Sequence, residues 1–172
     1  GKAVGTVSSP ADYEHLSVSP DGEHIVTSIR DPATGTMDVW SIELARGTKM
    51  RLTSDPADDF SALWSQDGER VLFTSDREGF YNLYAVAASG GGATETVLKT
   101  GYDKWSTDWS ADGRVILFNG FEAKTRYDIW ALPIGARGQP VEILRTPFNE
   151  MGAQLSPDGR WVAYGSDESG RA

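Results

Sequence analysis

A tetrapeptide ending in Asp-Gly recurs four times at a nearly constant interval, and this repeat constrains the fold more than any other feature. The copies are Ser19-Pro20-Asp21-Gly22, Ser65-Gln66-Asp67-Gly68, Ser110-Ala111-Asp112-Gly113 and Ser156-Pro157-Asp158-Gly159. Successive aspartates are 46, 45 and 46 residues apart. A period in the forties with several short strands per repeat is typical of β-propeller blades. The repeat therefore predicts an all-β propeller, a platform whose surface residues decide its chemistry.

Short alternating runs of apolar and polar residues flank each Asp-Gly turn, as expected for strands packed on one face. Two more strands follow in the first three copies, and the last carries the charged residues of an exposed edge. We predict one propeller domain, or propeller segment, over residues 1–172, with three complete four-stranded antiparallel blades and a partial fourth. The predicted bounds are 14–53, 60–99 and 105–145 for the complete blades and 151–166 for the partial blade, with an N-terminal strand at 4–7 that could complete it.

The number of blades leaves ring closure open, because propellers close with about 4–8 blades. The chain could be a fragment of a larger propeller. Alternatively, the N-terminal strand could complete the fourth blade, closing a four-bladed ring within one chain or an eight-bladed ring between two. Open blade faces would leave apolar surface in water, so we expect self-association through the blade edges to a homo-oligomer.

Composition excludes several classes of partner and chemistry. The net charge is −9, which disfavours a nucleic-acid backbone as a partner because that requires a concentrated basic face. The sequence has no apolar run of the roughly 20 residues that span a bilayer, so direct membrane insertion is not expected. The absence of cysteine rules out disulfides and thiolate catalysis.

No catalytic motif is found in the sequence. The two histidines, His15 and His24, fall in predicted strands of the first blade and are interpreted as structural or surface residues. A nucleophile elbow, a phosphate-binding loop and a dinucleotide fingerprint are all missing. We therefore predict that the domain is not an enzyme.

A polar column lies nine residues before each turn aspartate, in the loop that precedes the first strand of each blade. Its members are Asp12, Asp58, Asp103 and Asn149. One interpretation is a cap that accepts backbone N–H bonds. The other is a ring of oxygen ligands at one mouth of the channel, able to hold a cation such as Ca²⁺, with Asp58 and Asp103 as the candidate metal ligands.

The same mouth should carry aromatic and cationic side chains of the kind that dominate binding surfaces. We predict a site there for a protein, a peptide or a small ligand. Its candidate residues, besides the polar column, are Phe60, Arg77, Tyr102, Lys104 and Trp105.

With these columns aligned, the chain resembles a known family of repeats. The stretch from Trp64 to Gly79 reads W-S-Q-D-G-E-R-V-L-F-T-S-D-R-E-G and is followed by Leu83-Tyr84. It resembles the repeat of TolB-like propellers, whose consensus is W-S-P-D-G-x-x-I-A-F-x-S-x-R-x-G-x-x-x-I-Y. Gln66 and Ala111 depart from it, since they replace the turn proline. The resemblance implies protein–protein recognition in the bacterial cell envelope, and thus a periplasmic or extracytoplasmic location that the residues themselves do not fix.

Several phrases, including Asp103-Lys104 and Phe148-Asn149-Glu150, are also similar to the propeller that follows the kinase domain in many bacterial transmembrane serine/threonine kinases. That similarity implies an extracytoplasmic sensing module without kinase chemistry. We therefore expect a non-enzymatic interaction or ligand-sensing module. The alternatives are a gating or substrate-selecting propeller of a prolyl-oligopeptidase-like hydrolase, and a self-assembling scaffold.

Overall fold

The computed structural model describes residues 5–135 and 138–170, and all regular structure in these ranges is β-strand. The prediction of an all-β fold is confirmed. The strands are β1 (Tyr13–Val18), β2 (His24–Arg30), β3 (Met37–Glu43), β4 (Lys49–Arg51), β5 (Asp59–Trp64), β6 (Arg70–Glu78), β7 (Phe80–Ala87), β8 (Glu95–Leu98), β9 (Lys104–Trp109), β10 (Val115–Glu122), β11 (Arg126–Pro133), β12 (Val141–Leu144), β13 (Glu150–Leu155) and β14 (Val162–Ser166).

The strands form three four-stranded antiparallel sheets and one two-stranded sheet, each in sequential order. We refer to β1–β4, β5–β8, β9–β12 and β13–β14 as blades 1 to 4. The first strands of successive blades contact one another, β1 with β5, β5 with β9 and β9 with β13. These first strands are therefore innermost, around the propeller axis, and the fourth strands are outermost.

The repeated tetrapeptide forms the turn between the first and second strands. In blade 1, Gly22 N donates to Ser19 O at 2.9 Å, and Gly22 has a φ of +73°, which glycine adopts without strain. Ser19 Oγ donates to Asp21 Oδ1 at 2.5 Å, and the same oxygen accepts a bond from Glu23 N. The hydrogen bonds from the serine hydroxyl and from the N–H two residues on recur in the other three copies. They hold the pKa of all four turn aspartates below the ordinary value.

Three apolar clusters hold neighbouring blades together. Phe73 is the centre of the cluster between blades 1 and 2, and Phe118 has the same position between blades 2 and 3. Both side chains are fully buried. A smaller cluster around Ile129 and Ala153 joins blades 3 and 4. The core therefore lies between the blades, and within residues 5–135 and 138–170 no further blade packs on the outward faces of blades 1 and 4.

The predicted N-terminal strand at residues 4–7 is not formed over residues 5–7, and Val4 lies outside the described residues. The segment that follows is anchored next to blade 1, because Tyr13 Oη donates to Ser9 O at 2.6 Å. In the part of the chain that the structure describes, blade 4 accordingly consists of the two strands β13 and β14. Completion of blade 4 by residues 4–7 in an assembled ring stays a prediction.

Candidate functional site

The loops before the first strand and between the second and third strands lie at the same end of the blades, as predicted. In blade 2, Asp58 N donates to Asp76 Oδ1 at 3.0 Å. In blade 3, Phe121 N donates to Asp103 O at 2.8 Å. We call this end of the propeller the mouth face; the four Asp-Gly turns lie at the opposite end.

The polar column forms caps between blades. Asp58 Oδ1 accepts a bond from Met37 N at 2.9 Å, and Asp103 Oδ1 accepts one from Tyr81 N at 2.9 Å. In each case the carboxylate lies before the first strand of one blade and binds the N–H at the start of the third strand of the preceding blade. The column therefore has the capping role that the sequence suggested, although it caps a neighbouring blade and not its own.

The two end members of the column differ from Asp58 and Asp103. Asp12 precedes the first blade that the structure describes, and its carboxylate lies 3.4 Å from Arg30 Nε on the surface. The amide of Asn149 donates to Asp167 Oδ2 at 2.5 Å, while Asn149 Oδ1 is buried without a hydrogen-bond partner among the described residues.

Aromatic side chains form a continuous ribbon across blades 2 and 3 on the mouth face. Phe60 contacts Tyr81 edge to face with centroids 5.2 Å apart, and Tyr81 lies 6.0 Å from Trp105. Trp105 is 5.5 Å from Tyr127, which is 5.2 Å from Phe121. All five rings are half-buried, so each presents part of its surface to solvent. We call these five residues the aromatic ribbon.

Three carboxylates lie near Tyr81, the second ring of the aromatic ribbon. Burial raises the pKa of Tyr81, and the nearby charges of Asp76, Asp58 and Asp103 raise it further. A ligand over this ring would therefore lie on an aromatic surface in a negative field. Such a site favours cationic groups and N–H donors, because both are attracted to carboxylates and to the faces of aromatic rings.

Lys104 was predicted to face a ligand, and the structure places it differently. Its side chain is completely buried between blades 2 and 3. Lys104 Nζ donates to Tyr102 O at 2.6 Å, to Asn82 Oδ1 at 2.7 Å and to Tyr81 O at 3.1 Å. Burial lowers the pKa of this ammonium to about 8. All three of its protons are used within the protein, so Lys104 is structural.

Arg77 and Tyr102 also point away from the predicted ligand. Arg77 Nη2 lies 3.0 Å from both carboxylate oxygens of the buried Asp59, and its guanidinium stacks 4.9 Å from the Tyr84 ring. Tyr102 packs 6.4 Å from Trp130 within the cluster between blades 2 and 3. A buried carboxylate requires a paired cation, which explains why Arg77 turns inward.

The first strands line an open cleft of about 230 Å³. His15, Ser61 and Gly152 occupy equivalent positions in its wall, and all three have positive φ, at 54°, 52° and 65°. Each lies at a break in the strand register, where the extra residue of a bulge turns the backbone toward the axis. The left-handed conformation of the two non-glycine residues is a local strain that the surrounding blades must support.

Residues 5–135 and 138–170 contain no cluster of three or more His, Cys, Asp or Glu side chains arranged for a metal. Asp58 and Asp103 each have one oxygen committed to a backbone N–H, and the two lie at different blade junctions. The predicted Ca²⁺ site that would combine them remains a prediction. Within the described residues, the imidazoles of His15 and His24 form no hydrogen bond with a serine hydroxyl.

Sequence reasoning identified Phe60 and Trp105 but missed Tyr81, which connects them, and Tyr127, which extends the ribbon beyond Trp105. The signal was present in the aligned repeats, where both tyrosines occupy the second position of the third strand. That position is one residue before the buried polar column of Asn82 and Asp128, so its side chain points to the opposite face of the sheet.

The comparison with family models decides the relationship. The model described as "TolB beta propeller domain" matches residues 3–172. The chain belongs to this family. The TolB-like resemblance inferred from the repeats is therefore confirmed.

Individual relatives agree with this assignment. The chain is 30% identical over 151 residues to the Tol-Pal system protein TolB of Wolinella succinogenes, covering 86% of this chain and 35% of that protein. The crystal structure of TolB from Acinetobacter baumannii superposes with a TM-score of 0.75 at 25% identity, covering 88% of this chain and 37% of that one. The chain thus spans about a third of the length of these bacterial relatives.

An oligogalacturonate lyase structure, solved in complex with manganese, superposes with a TM-score of 0.66 at 13% identity over 90% of this chain and 48% of that one. At this identity the likeness shows the fold alone. A search of the described residues for a helix long and apolar enough to cross a membrane finds none.

Proposed function

We propose that this chain is a non-enzymatic protein-interaction module that binds a peptide segment of a partner protein on the aromatic ribbon of the mouth face. The observation that carries the proposal is the ribbon itself, five half-buried rings in contact across two blades. Half-buried aromatic side chains supply large contact area with little loss of side-chain entropy on binding, which is why they dominate binding hot spots.

The charges around the ribbon indicate the chemistry of the partner. Asp58, Asp76 and Asp103 act on Tyr81, and the cations predicted for this face, Arg77 and Lys104, are turned inward. The field at Tyr81 is therefore negative. We expect the bound segment to present basic or N–H donor groups next to an aromatic or aliphatic side chain.

The relatives support a setting for this activity. Their name, Tol-Pal system protein TolB, places them in a multiprotein system. We propose by similarity that the partner of this chain is a protein of the corresponding system in its own organism. The finer resemblance to kinase-attached propellers remains a prediction, which a kinase domain and a membrane helix encoded ahead of this chain would support.

The test is peptide binding measured by calorimetry. Peptides selected against the wild-type chain from a random display library would be titrated into wild type, Trp105→Ala and Trp161→Ala. Trp161 is a matched control, because it is 71% exposed on blade 4 and is outside the ribbon. We expect Trp105→Ala to weaken binding at least about tenfold, as for a hot-spot residue, and Trp161→Ala to leave it unchanged. Equal affinity of wild type and Trp105→Ala would refute the ribbon as the site.

Self-association is a separate proposal with its own observation. Blade 1 exposes Leu16 and Val18, at 63% and 52%, and blade 4 exposes Trp161 and Tyr164 on the other open side. We propose that these open blades associate between copies of the chain. Light scattering across a range of concentrations should then give a mass above the 18.7 kDa of one chain. A monomer at every concentration would contradict it.

A further inference from the structure

Each junction between neighbouring blades contains a pair of buried polar side chains at equivalent positions. One member lies on the third strand of a blade and the other at the start of the first strand of the next. The pairs are Asp38 with Asp59, Asn82 with Lys104, and Asp128 with Glu150. All six side chains belong to residues that are at most 2% exposed. Buried charges at such positions require compensation.

At the first two junctions a cationic side chain supplies this charge compensation. Arg51 Nη2 lies 2.5 Å from Asp38 Oδ2, and Arg77 Nη2 lies 3.0 Å from Asp59. At the second junction the ammonium of Lys104 is surrounded by three oxygens, from Asn82 Oδ1 and the carbonyls of Tyr81 and Tyr102. The blade junction is thus built to hold a positive group among oxygen ligands.

The third junction has the opposite composition, with two carboxylates and no contacting cation among the described residues. Asp128 Oδ2 accepts a bond from Thr125 Oγ1 at 2.5 Å, and Glu150 Oε1 accepts one from Thr146 Oγ1. The second oxygens, Asp128 Oδ1 and Glu150 Oε2, are buried and lack a hydrogen-bond partner. Arg145, whose charge also acts on Asp128, is paired with Glu122 and Glu142. Burial is the largest influence on Asp128 and raises the pKa of its carboxyl, and the nearby charges of Glu122 and Glu150 raise it further, whereas the Thr125 hydrogen bond and the Arg145 charge lower it.

A third unpartnered oxygen belongs to the same junction. Asp103 Oδ1 binds Tyr81 N at the second junction, but Asn149 Oδ1, its equivalent at the third, is buried with no partner. The repeat also places the carbonyls of Tyr127 and Phe148 where those of Tyr81 and Tyr102 hold the Lys104 ammonium. The two buried carboxylates of Asp128 and Glu150 therefore occupy the positions where the neighbouring junction has Asn82 and the Lys104 cation, and each keeps an unpartnered oxygen there.

We propose that a hard divalent cation of the Ca²⁺ type binds at the junction of blades 3 and 4, between Asp128 and Glu150. Two carboxylates balance a divalent ion, and the remaining ligands are neutral oxygens of the kind that Ca²⁺ accepts in irregular geometry. Mg²⁺ is the poorer fit, because it requires a near-ideal octahedron and gives up its water reluctantly. This inner site is distinct from the predicted Ca²⁺ site of Asp58 and Asp103 on the mouth face, and it does not depend on the proposed peptide binding.

The test is Ca²⁺ titration of the chelator-treated 172-residue chain. Calorimetry measures the binding, and thermal unfolding measures its effect on Tm. We expect binding with a Kd on the order of 10⁻⁴ M, as in other irregular oxygen sites. When the free Ca²⁺ concentration is about a hundred times the Kd, the Tm should rise by roughly 5–10 °C. Mg²⁺ at the same concentration should shift Tm much less.

The double variant Asp128→Asn with Glu150→Lys is the decisive one, because it copies the Asn82–Lys104 pair into the third junction. We expect it to fold without Ca²⁺ and to lose the calorimetric and thermal responses. The control, Asp58→Asn on the mouth face, should bind Ca²⁺ as wild type does. Circular dichroism confirms that each variant is folded before titration.

Three outcomes would overturn the proposal. The first is a wild type with neither heat nor Tm change at millimolar Ca²⁺, and the second is a double variant that keeps the full response. The third is loss of the response in Asp58→Asn, which would assign the ion to the mouth face.

Discussion

Blades 2 and 4 contain the same turn between their first two strands but differ in how these strands are buried. Ser65 Oγ donates to Asp67 Oδ1 at 2.5 Å, and Ser156 Oγ donates to Asp158 Oδ1 at 2.6 Å. Six residues after the turn aspartate, Phe73 of blade 2 is fully buried, whereas Tyr164 of blade 4 is 48% exposed. The repeat therefore specifies the hairpin locally, but neighbouring blades on both sides are needed to bury its faces.

The difference shows where the stability of such a chain resides. An isolated two-stranded hairpin is marginal in water, so blade 4 depends on its contacts with blade 3. Repeat proteins are stabilised by the interfaces between neighbouring units in addition to the units themselves. Blade 2 has two such interfaces and blade 4 has one, which predicts a gradient of stability along the chain.

Truncation of the equivalent aromatic residues should reveal this gradient most strongly. Phe73→Ala would leave a cavity between blades 1 and 2 and should lower the free energy of unfolding by about 3–5 kcal/mol. Tyr164→Ala removes an exposed side chain and should cost less than about 1 kcal/mol. Urea denaturation of the two variants and wild type measures both values.

Equal losses of unfolding free energy in Phe73→Ala and Tyr164→Ala would contradict the difference in burial between blades 2 and 4. Tyr164 would then be covered in solution by another blade, because only burial makes its truncation costly. A dependence of the Tyr164→Ala loss on protein concentration would identify that blade as part of a second copy.

The buried ammonium of Lys104 gives the next largest expected effect, and it appears as a pH dependence. Its pKa of about 8 in the folded chain lies below the ordinary 10.5 because of burial. The unfolded chain therefore holds more protons than the folded chain between pH 8 and 10.5, and stability rises with pH through this window. Between pH 8 and 10.5, the free energy of unfolding of wild type should rise by about 3 kcal/mol relative to that of Lys104→Met.

Denaturant unfolding of wild type and Lys104→Met at several pH values measures the difference between the two profiles. The difference matters because tyrosines with raised pKa, such as Tyr84 at about 12, change stability in the opposite direction at higher pH in both proteins. Parallel stability–pH profiles of the two proteins would mean that the three oxygens fully compensate the buried Lys104 ammonium. Burying this charge between blades 2 and 3 would then not destabilise the fold.

The repeat made the fold predictable because each of its signals is local. An Asp-Gly turn and an alternating strand pattern are specified within a few residues, so the presence of a strand on each side of Asp67, β5 and β6, follows from the sequence. The segment at residues 5–7 was harder, because a short apolar run becomes a strand only where a partner edge is available.

The candidate site was only partly predictable, because burial depends on residues distant in sequence. Lys104 and Arg77 were expected to be solvent-exposed cations. Instead, Lys104 donates to Asn82 and Arg77 pairs with Asp59, and both cations lie in blade junctions. The ribbon residues Phe60 and Trp105 could be recognised as candidate surface aromatics. Their contacts with Tyr81 and Tyr127 depend on packing between blades, which the aligned repeats show as a column but not as a contact.

The smallest expected effect distinguishes local turn chemistry from burial. Ser65→Ala removes the hydroxyl that accepts a bond from Arg70 N at 2.9 Å and donates to Asp67. Ser65 is only 2% exposed, so the released backbone N–H would lie in a dry site, and we expect a loss of about 1–2 kcal/mol. Ser156→Ala removes the same two bonds from blade 4, where water reaches the turn and can replace them.

Chemical denaturation should therefore give a loss below about 0.5 kcal/mol for Ser156→Ala, and amide exchange should show whether Trp161 N–H becomes unprotected. A smaller loss for Ser65→Ala than for Ser156→Ala would contradict the idea that burial, and not the turn itself, sets the energetic weight of each repeat. Equal losses of about 1 kcal/mol would mean that the hairpin turn contributes independently of its neighbours. In that case the stability gradient along the chain must arise from the aromatic clusters between the blades alone.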